Sequence, residues 1–175
     1  IMAYLTRLGE ATYFGVVPDD REKIENVINS ANSICDLTVV IGGSSMGERD
    51  FVKKAIAKLG NLLFEGVNVN VIKRCGVGIV NGRPVVSLPG QVVSSVTSFH
   101  EFVLHVMEVL SGVRLRSSTT AELEEPIEVK HNMDSVYLVS LDGGGARPLR
   151  WGVGLYSGLS RANGDAIFQR GERDG

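Results

Sequence analysis

The chain switches between two kinds of apolar spacing. From Arg21 to Ile34 the apolar side chains fall at Ile24, Val27, Ile28, Ala31 and Ile34, a stripe along one face of a helix. Leu37-Thr38-Val39-Val40-Ile41 is instead apolar at nearly every position, as in a strand covered on both faces. Phe51 to Leu59 returns to helical spacing and stops at Gly60, after which Asn61-Leu62-Leu63-Phe64 begins a strand. Upstream, Ile1, Leu5 and Leu8 predict a short helix with Gly9 at the C-cap position. Ala11 to Val17 predicts a strand ended by Pro18-Asp19-Asp20. Helix and strand alternate, so the predicted class is α/β with a largely parallel sheet.

That order breaks after Cys75. Val77 to Val80 and Arg83 to Leu88 flank Asn81-Gly82, the signature of a hairpin on a type I′ turn. Val92 to Leu110 is the longest periodic segment and closes at Ser111-Gly112. The polar, aperiodic stretch from Ser117 to Pro126 reads as a linker. Beyond it, Ile127 to Val129, Val136 to Val139 and Asp165 to Phe168 read as short strands between glycine-rich turns. The predicted organisation is an α/β domain over 1–116, a linker over 117–126 and a small β module over 127–175.

Composition narrows the function classes. A chain of 175 residues that is 43% apolar fills one sizeable core and a small second module. A net charge of -2, with no basic run longer than Lys73-Arg74, carries no footprint for general nucleic-acid binding. Cys35 and Cys75 give neither a disulfide framework nor metal-ligand spacing, which fits a reducing compartment. No window approaches the run of about 18 apolar residues that a membrane span requires, and no signal peptide is evident at the start. A cytoplasmic protein without a membrane partner is therefore expected.

Candidate chemistry lies where strands feed helix starts, because free N–H groups and the helix dipole favour an anion there. Pro18-Asp19-Asp20, Gly42 to Asp50, and Leu88-Pro89-Gly90-Gln91 leading to Ser94 are such loops. Gly42, Gly43 and Gly47 permit close backbone approach, and the Ser44 and Ser45 hydroxyls can donate to oxyanions. Asp50 suits Mg²⁺, which takes one or two carboxylates together with phosphate oxygens. The same residues also read as helix caps: Ser45-x-x-Glu48 is a capping box, Asp50 is a first-turn acid, and Asp19 or Asp20 caps the Arg21 helix. Lys73 and Arg74 read first as a solvated pair on a hairpin edge and only second as anion ligands. His100 and His105 lack i, i+4 spacing, and His131 is isolated.

Taken in order, these pieces resemble the molybdopterin molybdenumtransferase family, the MoeA-type proteins and the gephyrin E domain. The resemblance rests on Gly15 to Asp20, Asp36 to Asp50, Leu59-Gly60, Leu63 to Val67, Asn81 to Gly90, and Val93-Ser94 through Gly112. It continues at Arg147-Pro148-Leu149 and from Ser157 to Asp165. It implies a three-layer α/β/α molybdopterin-binding domain of the MogA-like kind, followed by a small β-barrel. It further implies Mg²⁺-dependent insertion of molybdate or tungstate into adenylylated molybdopterin with release of AMP, in a homodimer of the full-length protein. Asp50 and Asp19 then match functional, metal-binding carboxylates, and Lys73 matches a lysine that holds the oxyanion. Gly42, Gly43, Ser44, Ser45, Gly47, Pro89, Gly90, Ser94 and Ser157 line the pterin-nucleotide site. The family's first strand and two N-terminal domains would precede Ile1, and its final barrel strand would follow Gly175.

The chain also departs from the family. Where the family usually reads Lys-Pro-Gly-Lys-Pro, it has Asn70-Val71-Ile72-Lys73-Arg74, and Gln91-Val92 replaces Asn-Pro. Met133 falls at the position of a family arginine. A second expectation follows: a non-catalytic paralogue that binds the pterin nucleotide or acts as a scaffold.

Overall fold

The computed structural model describes residues 1–43, 50–129, 132–150 and 156–170. In chain order the first part holds α1 (Met2–Leu8), α2 (Arg21–Ile34), β1 (Thr38–Ile41), α3 (Phe51–Leu59), β2 (Gly60–Glu65), β3 (Gly76–Val80) and β4 (Arg83–Leu88). A continuous helical rod follows: α4 (Val92–Ser98), a π-helical turn (Phe99–Val103) and α5 (Leu104–Ser111). Gly112, at φ 69°, ends it in the left-handed conformation that glycine adopts without steric cost. Asp20 starts α2 by accepting the Lys23 N–H at 2.9 Å. Gly9 follows α1 in an extended conformation, φ 177°, which any residue can adopt, so the helix end does not depend on glycine there.

The sheet runs β1-β4-β3-β2, and only the β1–β4 pair is parallel. The expected largely parallel sheet is thus mixed, because the Asn81-Gly82 turn (φ 52° and 74°) folds β3 back antiparallel onto β4 and β2 pairs antiparallel to β3. Ala11 to Val17 is not a strand. It has no ladder partner among the described residues, and Tyr13 and Val16 are exposed there. Apolar alternation alone cannot make a strand when no second row of N–H and C=O groups meets it.

Helices cover both faces. Ile24 and Ile28 of α2 join Val52, Ala55 and Ile56 of α3 against Val80 and Val85. On the other face Phe99, Val103 and Leu104 of the rod pack on Val77, Val86 and Leu88, with Leu5 of α1 beside them. A polar hub ties α2 to the hairpin. Asn32, buried to 1% exposure, donates to the carbonyls of Val80 (2.8 Å) and Arg83 (3.1 Å) and accepts from the Thr38 hydroxyl.

β2 carries a bulge. Leu62 pairs with Gly78 and Phe64 with Val77, so Leu63 is an extra, exposed residue. Alternation therefore restarts after it. Phe64 joins the rod-side core, and Glu65 turns toward α3.

The second part is a sheet ordered β5-β7-β6-β8, from β5 (Glu122–Leu123), β6 (Ser135–Asp142), β7 (Gly145–Pro148) and β8 (Gly164–Phe168), with a short α6 (Ser157–Arg161). Where the resemblance implies a small β-barrel with its final strand beyond Gly175, the described residues form a four-stranded sheet. β5 arises inside the predicted linker, because the Glu122 and Glu124 N–H groups reach the carbonyls of Gly144 and Ala146. Ile127 to Val129, predicted as a strand, lies outside every ladder, although Ile127 is buried.

A seam joins the two parts. Asn70 donates its backbone N–H to Asp134 O (2.9 Å) and accepts the Val136 N–H on its side-chain oxygen (2.7 Å). The Asn68 side chain donates to Asn132 O, and Val93 shares an apolar cluster with Leu138, Leu149 and Leu159. On the π-helical turn, burial and the neighbouring Asp165 carboxyl push Glu101 up to about 7, against the pull of Arg116. Among the described residues no helix is long and apolar enough to cross a membrane.

Candidate functional site

Strand register fixes which residues meet at the sheet's upper edge. Glu65 pairs with Gly76, Gly76 with Ser87, and Ser87 with Val40, so one row crosses all of the sheet where β1 and β4 end. Directly opposed residues point to the same face. Val40 belongs to the core under α2 and α3, so Glu65 and Ser87 also face α3.

The two glycine loops come together at this edge. The Gly42 N–H donates to Leu88 O at 3.0 Å, and a Cβ at Gly90 would lie 3.5 Å from Gly42 Cα. Gly42 and Gly43 have φ of 87° and 67°, and a Cβ at Gly43 would lie 2.7 Å from Val52 Cγ2. Glycine is required at Gly43 on both counts, by backbone conformation and by space. Pro89 is buried beneath the second loop, and Gln91 caps α4 by accepting the Ser94 N–H at 2.7 Å.

Asp50 stands at the centre. It is 4% exposed and caps α3, its Oδ1 accepting the Lys53 N–H at 3.1 Å, while its Oδ2 lies 3.1 Å from Lys53 Nζ. Lys53 is itself 6% exposed, and its ammonium lies 3.8 Å from Glu65 Oε1. The lysine stem runs over Gly76, where a Cβ would stand 3.3 Å from Cε. The Ser87 hydroxyl, fully buried on the same row, has no hydrogen-bond partner. The Ser95, Thr97 and Ser135 hydroxyls are likewise buried without a partner among the described residues, so this one does not by itself mark a ligand.

The expected site residues divide accordingly. The structure brings Gly42, Gly43, Pro89, Gly90 and Asp50 to one edge, and Ser94 follows in the first turn of α4. Ser44, Ser45 and Gly47 lie outside the described residues, as does His131. Asp19 is exposed and makes none of the contacts of Asp50, and Asp20 rather than Asp19 caps α2. Ser157 is exposed at the start of α6, whose Leu159 shares the cluster around Val93. Lys73 is exposed, and its carbonyl, not its ammonium, is engaged, accepting the Val67 N–H. Asn70, on the departing segment, is committed to the seam. Cys75 donates to Ser98 Oγ, and burial pushes its thiol up to about 11, so it is no nucleophile.

Sequence reasoning missed Lys53, Glu65 and Ser87. The signal for Lys53 was its i, i+3 spacing from Asp50 on the apolar face of α3. Glu65 left none, since only the bulge aims it inward.

A divalent cation at this edge would have Asp50 as its one buried carboxylate and take most of its ligands from substrate. No three histidine, cysteine or acidic side chains converge among the described residues, but the Lys53 ammonium already stands as a cation between two carboxylates. Mg²⁺ is held in this manner, by one or two carboxylates together with phosphate oxygens.

Relatives share this framework. A putative molybdopterin biosynthesis protein of Methanocaldococcus jannaschii is 37% identical over 93 residues, 53% of this chain and 23% of its own length. The molybdopterin molybdenumtransferase of Haemophilus influenzae is 30% identical over 103 residues, 59% of this chain and 26% of its own. The chain thus spans about a quarter of the length of these curated relatives. A solved structure, a molybdenum cofactor biosynthesis protein from Pyrococcus furiosus, superposes with a TM-score of 0.76 at 26% identity over 98% of this chain and 60% of that one. The family described as the probable molybdopterin binding domain matches residues 1–109, more than half of the sequence. With that match lying over the sheet, its glycine loops and Asp50, the chain belongs to the molybdopterin-binding family MoCF_biosynth.

Proposed function

We propose that this chain binds an adenylylated molybdopterin and serves its conversion in molybdenum cofactor assembly: Mg²⁺-dependent insertion of molybdate or tungstate, with release of AMP. The observation that carries this reading is the buried Asp50 carboxylate at an edge where Gly42-Gly43 and Pro89-Gly90 lie side by side. The glycines let a phosphate come close to the backbone, Ser94 lies in the first turn of α4, and Ser157 lies on α6, whose Leu159 packs on Val93 of α4. Asp50, with Asp19 by the family pattern, would hold Mg²⁺ together with phosphate oxygens, and Ser44, Ser45 and Gly47 complete the site by the same pattern. Mg²⁺, when bound, supplies charge neutralisation on the phosphoanhydride. The chain's own part is to orient the anhydride against the strand ends, with Lys73 as the anion ligand by the family pattern.

Consumption of adenylylated molybdopterin with Mg²⁺ and molybdate, followed as AMP release, tests this. Asp50→Asn is expected to lose turnover while remaining folded; full turnover in that variant refutes the assignment. A second reading, nucleotide binding without turnover, is favoured by the commitment of Asn70 to the seam and the exposure of Lys73, which leave the oxyanion clamp thin. It predicts a bound pterin nucleotide and no AMP.

A further inference from the structure

Asp50 is held by a single residue through both of its oxygens. The backbone N–H of Lys53 takes Oδ1 and its ammonium takes Oδ2, each at 3.1 Å. The first contact is the helix cap and belongs to α3 itself. The second is a side-chain contact that can be exchanged. A divalent cation on Asp50 would meet the ammonium as a like charge at contact distance, so the two cannot share Oδ2.

The structure supplies a second seat for the ammonium. Glu65 Oε1 is 3.8 Å from Nζ, beyond a hydrogen bond but within a small swing of the terminal methylenes. Glu65 is 63% exposed in its side chain and has no other ion-pair partner among the described residues to give up. Its inward aim is the work of the Leu63 bulge, without which alternation would send it to the opposite face. Gly76, on the same row, leaves the channel in which the lysine stem lies. The orphan Ser87 hydroxyl on that row is a polar group still without a partner.

Resting on the divalent-ion reading above, we propose that Lys53 is a tethered cation: it aims Asp50 at the rim and yields Oδ2 to a divalent ion by moving its ammonium onto Glu65. Lys53 and Glu65 are positioning residues in this device. It sets metal affinity through an exchange within the chain, and the exposed Lys73 takes no part.

Mn²⁺ serves as the probe, its binding to the full chain read by electron paramagnetic resonance without substrate. Removing the competitor in Lys53→Met should tighten Mn²⁺ binding by about tenfold or more, tenfold being the equivalent of ~1.4 kcal/mol. Glu65→Gln should weaken it about fivefold where Lys53 is present and have no effect where it is Met, since Glu65 then has nothing to receive; that is a change of ~1 kcal/mol. A purely structural pair would not give this dependence. Unchanged or weaker binding in Lys53→Met, or an equal Glu65→Gln effect in both backgrounds, overturns the proposal. If Lys53→Met fails to fold, the surface change Glu65→Gln alone decides, and unaltered affinity refutes the exchange. Asp50→Asn separates the two levels. If it abolishes Mn²⁺ binding and Lys53→Met does not tighten it, the tethered-cation idea alone falls; if wild type and Asp50→Asn bind alike, the metal reading falls with it.

Discussion

Asp50→Ala removes two things at once, and the structure assigns a magnitude to each. The first is the α3 cap, Oδ1 on the Lys53 N–H, which stabilises a helix start by about 1 kcal/mol. The second is the partner of a buried ammonium. Breaking a buried ion pair from one side costs about 3–5 kcal/mol, because the remaining charge is left uncompensated. Glu65, at 3.8 Å and largely exposed, continues to face Lys53 and places the cost at the lower end. The expected loss is about 4 kcal/mol, a large part of the total stability of about 5–15 kcal/mol typical of a domain. Asp50→Asn keeps an oxygen for the cap and should lose about 3 kcal/mol. Asp50→Ala with Lys53→Met leaves no unpaired charge, so the double variant should fall short of the summed single costs by about 2 kcal/mol. Urea unfolding followed by circular dichroism at fixed ionic strength measures all five proteins: wild type, the three single variants Asp50→Ala, Asp50→Asn and Lys53→Met, and the double variant. The reasoning is refuted if Asp50→Ala lies within about 1 kcal/mol of wild type, or if the double variant is additive. Loss of activity in Asp50→Ala alone would therefore say little about chemistry.

Two further outcomes follow from buried polar groups. Asn32→Leu removes the side-chain hydrogen bonds to Val80 O, Arg83 O and the Thr38 hydroxyl and should cost about 3–4 kcal/mol in urea unfolding, part of it recovered by adding Thr38→Val. Glu101 holds its proton up to about 7 in the folded chain, above the unfolded value of 4.5. Its contribution is thus complete below pH 4.5 and is lost as pH rises through 7. Glu101→Gln should be more stable than wild type above that pH by about 1–2 kcal/mol after screening, with no gain at pH 4, as urea midpoints at the two pH values would report.

What the sequence made legible was local chemistry. α2 and α3 could be read from their periodicity, the β3–β4 hairpin from Asn81-Gly82, and Asp50 as the cap of α3. What it concealed depends on partners. Ala11 to Val17 has the composition of a strand, but strand status is a property of two segments, and no second one meets it among the described residues. β5 looked like linker because two residues with polar neighbours carry no period. Lys53 drew no notice in the sequence, since only the packing of α3 over Gly76 buries it. Asn70 looked like a lost basic ligand, and its gained role became visible only once Val136 and Asp134 lay beside it.

The bulge at Leu63 has a further consequence, one of counting. Leu63 has no partner of its own between the Leu62–Gly78 and Phe64–Val77 pairs, so the chain here is one residue longer than the ladder it serves. Deleting Leu63 would leave Glu65 opposite Gly76 and on the same face, whereas drawing Leu63 into regular pairing would bring Phe64 to the rim and turn Glu65 away. The strand therefore tolerates a change of length at this point better than a change of pairing.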